Sequence, residues 1–367
     1  MVTNARSKVI SRLRVILTLA RLIKGIKNFR YCDPGQAGKV AAKHPEISMQ
    51  AQLSGTARRP RFGVAAILAV VFIWSGWIIV SSWGVHQTLT AWDISFLRFT
   101  SAALVTLPLL LRKRLQLRTV FNWRTLVCSL GCGFPYTMLS FIGLEHSPAS
   151  NAGVVVNGLM PILVACLSFV LLKQRIARAK LLGIALIAIA NGLILVDGGL
   201  HNFLGMLCFL MAAICLATYT VFMRRWHIAT DVMIVSVPWI NAILFFPIWL
   251  FLAPSTLHEA GAQEMVLQVL FQGVLVSVIA LYLMTHAIHA LGSVTASTFM
   301  GLVPVVAAGL ALVVLHEPIS ALTTIAVIMC SIGIVFYNVW GTRFSSAPAM
   351  PEKTRATRLA SEETCSE

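Results

Sequence analysis

Ten stretches of this chain are almost wholly apolar: residues 64–83, 94–111, 125–143, 152–172, 179–196, 203–222, 233–252, 266–286, 294–314 and 321–340. Coiled as a helix, each is long enough to cross a bilayer core, which takes roughly 20 residues. Lipid offers no partner to a free backbone N–H or C=O, so helices are predicted for all ten. The connecting gaps are short, which makes neighbouring helices antiparallel. The predicted fold is an all-α polytopic membrane protein with ten transmembrane helices.

The basic residues between the stretches fall in every second gap. Lys and Arg number 13 in residues 1–62, five in 112–124, four in 173–180, two in 223–232 and four in the C-terminal tail. The alternate gaps, near 84–93, 144–151, 197–202, 253–265 and 315–320, hold none. They carry Asp93, Glu145, Asp197, Glu259, Glu264 and Glu317 instead. Basic residues stay on the cytoplasmic side, so both termini are expected there, in the cell inner membrane. One gap breaks the pattern: 287–293 belongs on the basic side, yet has only His289. Trp83, Trp92, Trp123, Trp226 and Trp340 fall near helix ends, where an aromatic belt would place them.

Composition agrees with a membrane class, at 58% hydrophobic and 11% charged residues. Residues 1–62 set 13 basic residues against two acids, a local excess of 11 out of a total net charge of +16. This excess suits an anionic lipid surface rather than nucleic acid. Within it Val9, Leu13, Ile16, Leu17, Ala20 and Ile23 follow helical spacing, with Arg12, Arg14, Arg21 and Lys24 on other faces. That pattern fits a basic surface helix, an Arg-rich targeting segment, or a leader upstream of a start at Met49. Six of the eight cysteines lie in apolar stretches with no His or acid to complete a metal site, so no metal and no cofactor are expected.

A repeat underlies the pattern. Residues 150–176 and 293–319 align at a shift of 143, sharing Gly158/Gly301, Leu159/Leu302, Pro161/Pro304, Leu172/Leu315 and Ile176/Ile319. The copies are stretches four and nine. An odd number of spans per repeat inverts one half relative to the other. The chain divides accordingly into a 1–62 extension, a first repeat at 63–200, a second at 201–342 and a tail at 343–367. Secondary transporters build two-sided access from such halves, around a site near the membrane midplane. Pro161 and Pro304 each remove a backbone donor in mid-span and are expected to break or bend their helices there.

Residues 63–342 resemble the drug/metabolite transporter superfamily, specifically its EamA-type members with two five-span repeats. The resemblance rests on Trp74-Ser75-Gly76 in stretch one, on Arg98 within Ala-Trp-Asp-Ile-Ser-Phe-Leu-Arg-Phe, and on the Pro-containing stretches four and nine with their charged turns. The first turn has Gln174 where that family usually has Glu; the second keeps Glu317. The resemblance implies a cavity between the halves through which small metabolites, such as amino acids, leave the cell, with a broad-specificity drug or cation exporter of the same fold as the alternative.

Arg98 is the only charge in the interior of an apolar stretch, Lys180 standing at the edge of another, and at a helix centre it costs about 2.5–3.5 kcal/mol on insertion scales. It either meets a substrate carboxylate or snorkels outward toward Asp93. Asn157, one turn before Pro161, is a candidate cavity residue, while Asn191 and Asn241 are further mid-span amides that join helices or line a cavity. Trp74, Trp77, Tyr136, Tyr219 and Tyr282 could form the walls of a pocket, with Thr298 beside them. Gly131, Gly133, Gly158, Ala188-xxx-Gly192 and Ser297-xxx-Gly301 are predicted close contacts between helices. His286 and His289 lack a visible third ligand. No phosphate-binding GxxxxGK[ST] loop and no HExxH or GxSxG motif occurs, which argues against ATP-driven transport and against an enzyme. The expected partners are a small-molecule substrate, membrane lipid and a coupling proton, in a monomer or homodimer.

Overall fold

The computed structural model describes residues 60–111, 116–173, 177–198 and 202–343. The surface-helix pattern at Val9–Ile23 and the Gln174 turn lie outside them. Among the described residues, ten helices are long and apolar enough to span a membrane: α1 (Arg61–Val85), α2 (Ala91–Leu110), α3 (Trp123–His146), α4 (Ala149–Leu172), α5 (Leu181–Gly198), α6 (Phe203–Arg225), α7 (Thr230–Leu252), α8 (Ala262–Leu291), α9 (Ser293–Val314) and α10 (Ala321–Trp340). Each covers the centre of one predicted stretch. Large apolar side chains such as Phe251, Val196 and Val313 remain exposed on the flanks, as lipid-facing residues do.

The packing pairs follow the inverted repeat. Helices α2 and α7, α4 and α9, and α5 and α10 each pack against their own counterpart. Helix α1 lies on α8 and α9, and its counterpart α6 lies on α3 and α4. That reciprocity is what a two-fold axis in the membrane plane dictates, and it puts the second and third helices of opposite halves in contact: α2 with α8, and α7 with α3. The α5–α10 pair approaches closely because a Cβ on Gly183 would lie 2.7 Å from Tyr337 N, against 2.8 Å from Gly333 O. The predicted contacts at Gly158 and Gly301 are made, whereas Gly192 has no neighbour within 4 Å of a built Cβ.

Three helices depart from regular α geometry. Helix α3 is broken at Gly133, between Trp123–Cys132 and Phe134–His146, with Pro135 in the first turn of the second segment. A missing proline N–H costs nothing at a helix start. Helix α8 widens into a π-helix over Val269–Ile279. Helix α9 tightens into a 3-10 turn at Met300–Leu302, just before Pro304. The expected break at Pro161 is absent, since α4 runs uninterrupted from Ala149 to Leu172. In hydrocarbon no water competes for the flanking backbone groups, so losing one donor leaves the rest of that helix intact.

The ends of the bundle differ in chemistry. At the end that carries the acids, carboxylates tie the two halves together. Glu264 accepts from Leu89 N at 3.1 Å. Asp197 accepts from the Ser320 and Thr323 hydroxyls at 2.6 and 2.7 Å. Glu317 accepts from Ala149 N at 3.0 Å and Ser150 N at 3.4 Å, supplying a negative charge to the α4 N-terminus, which begins at Pro148 without a side-chain cap of its own. Glu317→Gln keeps one acceptor but loses the charge, and is expected to cost about 1 kcal/mol of stability. An unchanged unfolding midpoint of the purified protein would refute this.

At the basic end Lys180 lies over the Tyr337 ring at 4.7 Å. Burial, and then the nearby charge of Arg224, hold its amine below the ordinary lysine value. The 287–293 gap needs no basic residues because it is not a loop. Helix α8 ends at Leu291, α9 begins at Ser293, and Gly292 makes the turn at φ 85°, a conformation that suits only glycine.

Candidate functional site

Arg98 lies two turns into α2. That helix starts at a Thr90–Asp93 capping box. Its guanidinium does not snorkel toward Asp93. The Asp93 carboxylate is fully buried and is occupied by Trp249 Nε1 at 2.9 Å, Ser255 Oγ at 2.6 Å and Thr256 N at 3.0 Å. Arg98 instead turns inward. Its Nη1 donates to Gln272 Oε1 at 2.8 Å, and Trp77 Nε1 donates to the same oxygen at 2.7 Å. The guanidinium carbon sits 5.6 Å above the Trp77 ring, within cation–π range, and Trp77 stacks on Tyr136 at 5.8 Å.

Gln272 is held from behind. Its amide donates to Ser81 Oγ at 2.9 Å and to Gln268 Oε1 at 3.3 Å, and Gln268 in turn donates to Val80 O at 3.2 Å. Both glutamines are fully buried. Gln272 reaches α1 and α2 from the π-helical stretch of α8, where Ser277 Oγ donates to Gln272 O at 2.7 Å, and Gln268 reaches α1 from the residue just before that stretch. Stretches of π-helix recur at functional sites. Gly273, next along, has no Cβ, so Ser101 of α2 packs directly against its backbone.

No carboxylate pairs with Arg98 among the described residues, and its Nε is buried without a partner. The ionisable groups within its electrostatic reach are Tyr136 and Cys132 of α3. The resulting site is an unpaired cation with an aromatic wall, fixed by neutral amides.

The opposite half carries a counterpart. The shift of 143 that relates α4 to α9 places Asn241 of α7 on Arg98 of α2. Asn241 crosses to α3 as Arg98 crosses to α8. Its Oδ1 accepts from Phe134 N at 2.9 Å, and its Nδ2 donates to Ser129 O at 3.0 Å and Val237 O at 2.7 Å. The amide thus occupies the break at Gly133 and satisfies backbone groups that the broken helix leaves open.

The structure brings Arg98, Trp77 and Tyr136 together. Tyr219 of α6 packs against α3 one residue before Cys132, with its Cβ 3.0 Å from where a Cβ on Gly131 would stand. The other candidates lie apart. Trp74 packs between two apolar clusters. Thr298 Oγ1 donates to Val294 O of its own helix at 2.8 Å. Asn157 and Tyr282 are half-buried, and among the described residues no hydrogen bond or ring contact ties them to Arg98. Gln268, Gln272 and Ser81 escape sequence reading. The only available signal was two uncharged amides one turn apart in an otherwise apolar helix. Among the described residues no group of three His, Cys, Asp or Glu side chains converges as metal ligands would.

The profile of the EamA-like transporter family matches the chain twice, at residues 61–196 and 203–339. The chain is also 28% identical over 273 residues to an uncharacterized transporter, YetK, of Bacillus subtilis (strain 168), covering 71% of this chain and 82% of that protein. A solved crystal structure shares the fold with a TM-score of 0.56 at 21% identity, over 77% of this chain and 99% of its own.

Proposed function

Because the chain belongs to the EamA-like transporter family, a membership carried by both of its halves, we propose that it is a secondary carrier exporting a small metabolite, an amino acid or related compound, by alternating access. The observation that carries this reading is the Arg98–Gln272 contact. A buried cation of one half is held by a neutral amide of the other, at the seam where a rocking motion would make and break contacts. Trp77, Tyr136 and Tyr219 would wall the substrate. The acidic end would face outward and both termini the cytoplasm, in the inner membrane, following the positive-inside rule. A proton is the natural coupling ion for such a carrier, which would work as a monomer or homodimer. Its working parts would be the two repeats at 63–200 and 201–342.

The test is a metabolite profile of medium from cells that overexpress the chain, an Arg98→Ala version, or an empty vector. One compound is expected to accumulate outside wild-type cells. Arg98→Ala should lower its rate about tenfold or more, the worth of one charge-assisted contact. Medium indistinguishable from that of empty-vector cells would sink the proposal.

A further inference from the structure

We propose that the cargo is an organic monocarboxylate with an aromatic or apolar body, bound as the anion on Arg98, rather than a zwitterion or a cation. The inference rests on the transport reading above and, of the amino acids and related compounds named there, sets the zwitterionic amino acids aside in favour of related monoanions.

Three observations carry it. First, Arg98 lacks a counter-ion: no acid pairs with it among the described residues, and Nε has no partner. A buried charge is tolerable only when something neutralises it at least part of the time, and here the protein supplies the carbonyl of Gln272 and the face of Trp77, neither of which carries a charge. A carboxylate matches the planar guanidinium better than any other common metabolite group.

Second, the acids that could seat an ammonium group are elsewhere. Asp93, Asp197, Glu264 and Glu317 are each engaged at the acidic end by hydroxyl or backbone donors, Glu145 and Glu259 belong to that same end, and Asp231 stands in the first turn of α7 at the opposite, basic end. A zwitterionic amino acid would satisfy its carboxylate at Arg98 and leave its ammonium facing rings and neutral dipoles. Third, the surface beside the cation is aromatic. Trp77 lies under the guanidinium and stacks on Tyr136.

Gln272 is then a positioning residue that sets specificity. It aims the guanidinium without neutralising it, because its carbonyl is shared with Trp77 Nε1 and its amide is anchored on Ser81 and Gln268. A carboxylate at that position would pair with Arg98 and occupy the seat of the cargo.

The test compares three probes that share a phenyl ring and differ in charge: 3-phenylpropionate, L-phenylalanine and 2-phenylethylamine. Binding of each radiolabelled probe to the purified full chain in detergent is measured by equilibrium dialysis. 3-Phenylpropionate is expected to bind at least about tenfold tighter than L-phenylalanine, with no measurable binding of 2-phenylethylamine. Arg98→Gln should lose the anion. Gln272→Glu should lose it as well while unfolding no earlier than wild type, because the new carboxylate pairs with Arg98. A merely structural glutamine would give the opposite pattern, with lower stability and unchanged charge preference.

Equal or tighter binding of the zwitterion, or preference for the cation, would overturn the proposal, as would binding of none of the three. Export of a zwitterion or cation in the metabolite profile would leave the transport reading standing while this one fell. No exported compound at all would strike the transport reading itself.

Discussion

Gly133→Ala is expected to destabilise the protein by about 3–5 kcal/mol, one of the largest single effects available in this chain. A Cβ at this position would stand 2.0 Å from Asn241 Oδ1 and 2.3 Å from its Cγ. The Asn241 side chain is short, fully buried and fixed by three hydrogen bonds, so it cannot step aside cheaply. Its expulsion would leave Phe134 N and Ser129 O without partners inside the bundle, where water is not available to replace them. The test is a double-mutant cycle on thermal unfolding in detergent. Asn241→Ala alone should cost about 2–3 kcal/mol for the orphaned donor and acceptor. The pair should cost little more than Asn241→Ala, since the clash is gone. Simple additivity would show that Gly133 and Asn241 are not coupled as described.

Asp93→Ala should be almost as damaging, at about 3–4 kcal/mol. Its carboxylate collects Trp249 Nε1, Ser255 Oγ, Thr256 N and Thr90 Oγ1, and so fastens the start of α2 to the last turn of α7 and the segment after it. Hydrogen bonds to an ionised acceptor are about twice as strong as neutral ones, and alanine would abandon several buried donors at once. Asp93→Asn keeps an acceptor for part of the set and should lose about half as much. The contrast with Arg98 is diagnostic. If the two formed an ion pair, Arg98→Ala and Asp93→Ala would share their effect, whereas the observed geometry makes them independent. Loss of coupling between Trp249 and the α2 cap, read as a shift of Trp emission in Asp93→Ala, accompanies the fall in midpoint. A midpoint within about 1 kcal/mol of wild type would refute the role assigned to Asp93.

Much of the architecture was legible because hydrocarbon is an unforgiving solvent. Ten apolar stretches, signed gaps and a 143-residue shift require no knowledge of side-chain contacts, and the helices follow from backbone satisfaction alone. Where α3, α8 and α9 deviate, sequence was a poorer guide. Gly133-Phe134-Pro135 is a helix-restart signal set inside an apolar run, where it reads as one continuous span. The π-helical turn of α8 depends on what Gln272 and Ser277 reach across the bundle, and periodicity does not carry that. Arg98 was visible as an anomaly, but its direction was not. Whether it met Asp93 depended on whether Trp249, Ser255 and Thr256 had already filled that carboxylate, and those residues are more than 150 positions away. Asn157 looked the better amide by its place beside Pro161, yet Asn241 is the one that bridges helices. Reading the shift of 143 onto α2 and α7 would have pointed to it, because it falls on Arg98.

That the interior offers one fixed cation and, among the described residues, no acid beside it has an electrical consequence. Arg98 stays with the protein when the carrier turns over, so a monocarboxylate cargo takes its own negative charge across. An inside-negative potential of 100 mV would then push each anion outward with about 2.3 kcal/mol, roughly a fiftyfold concentration ratio, before any ion gradient contributes. Export of such a cargo would be electrogenic, and the membrane voltage itself would serve as the energy source.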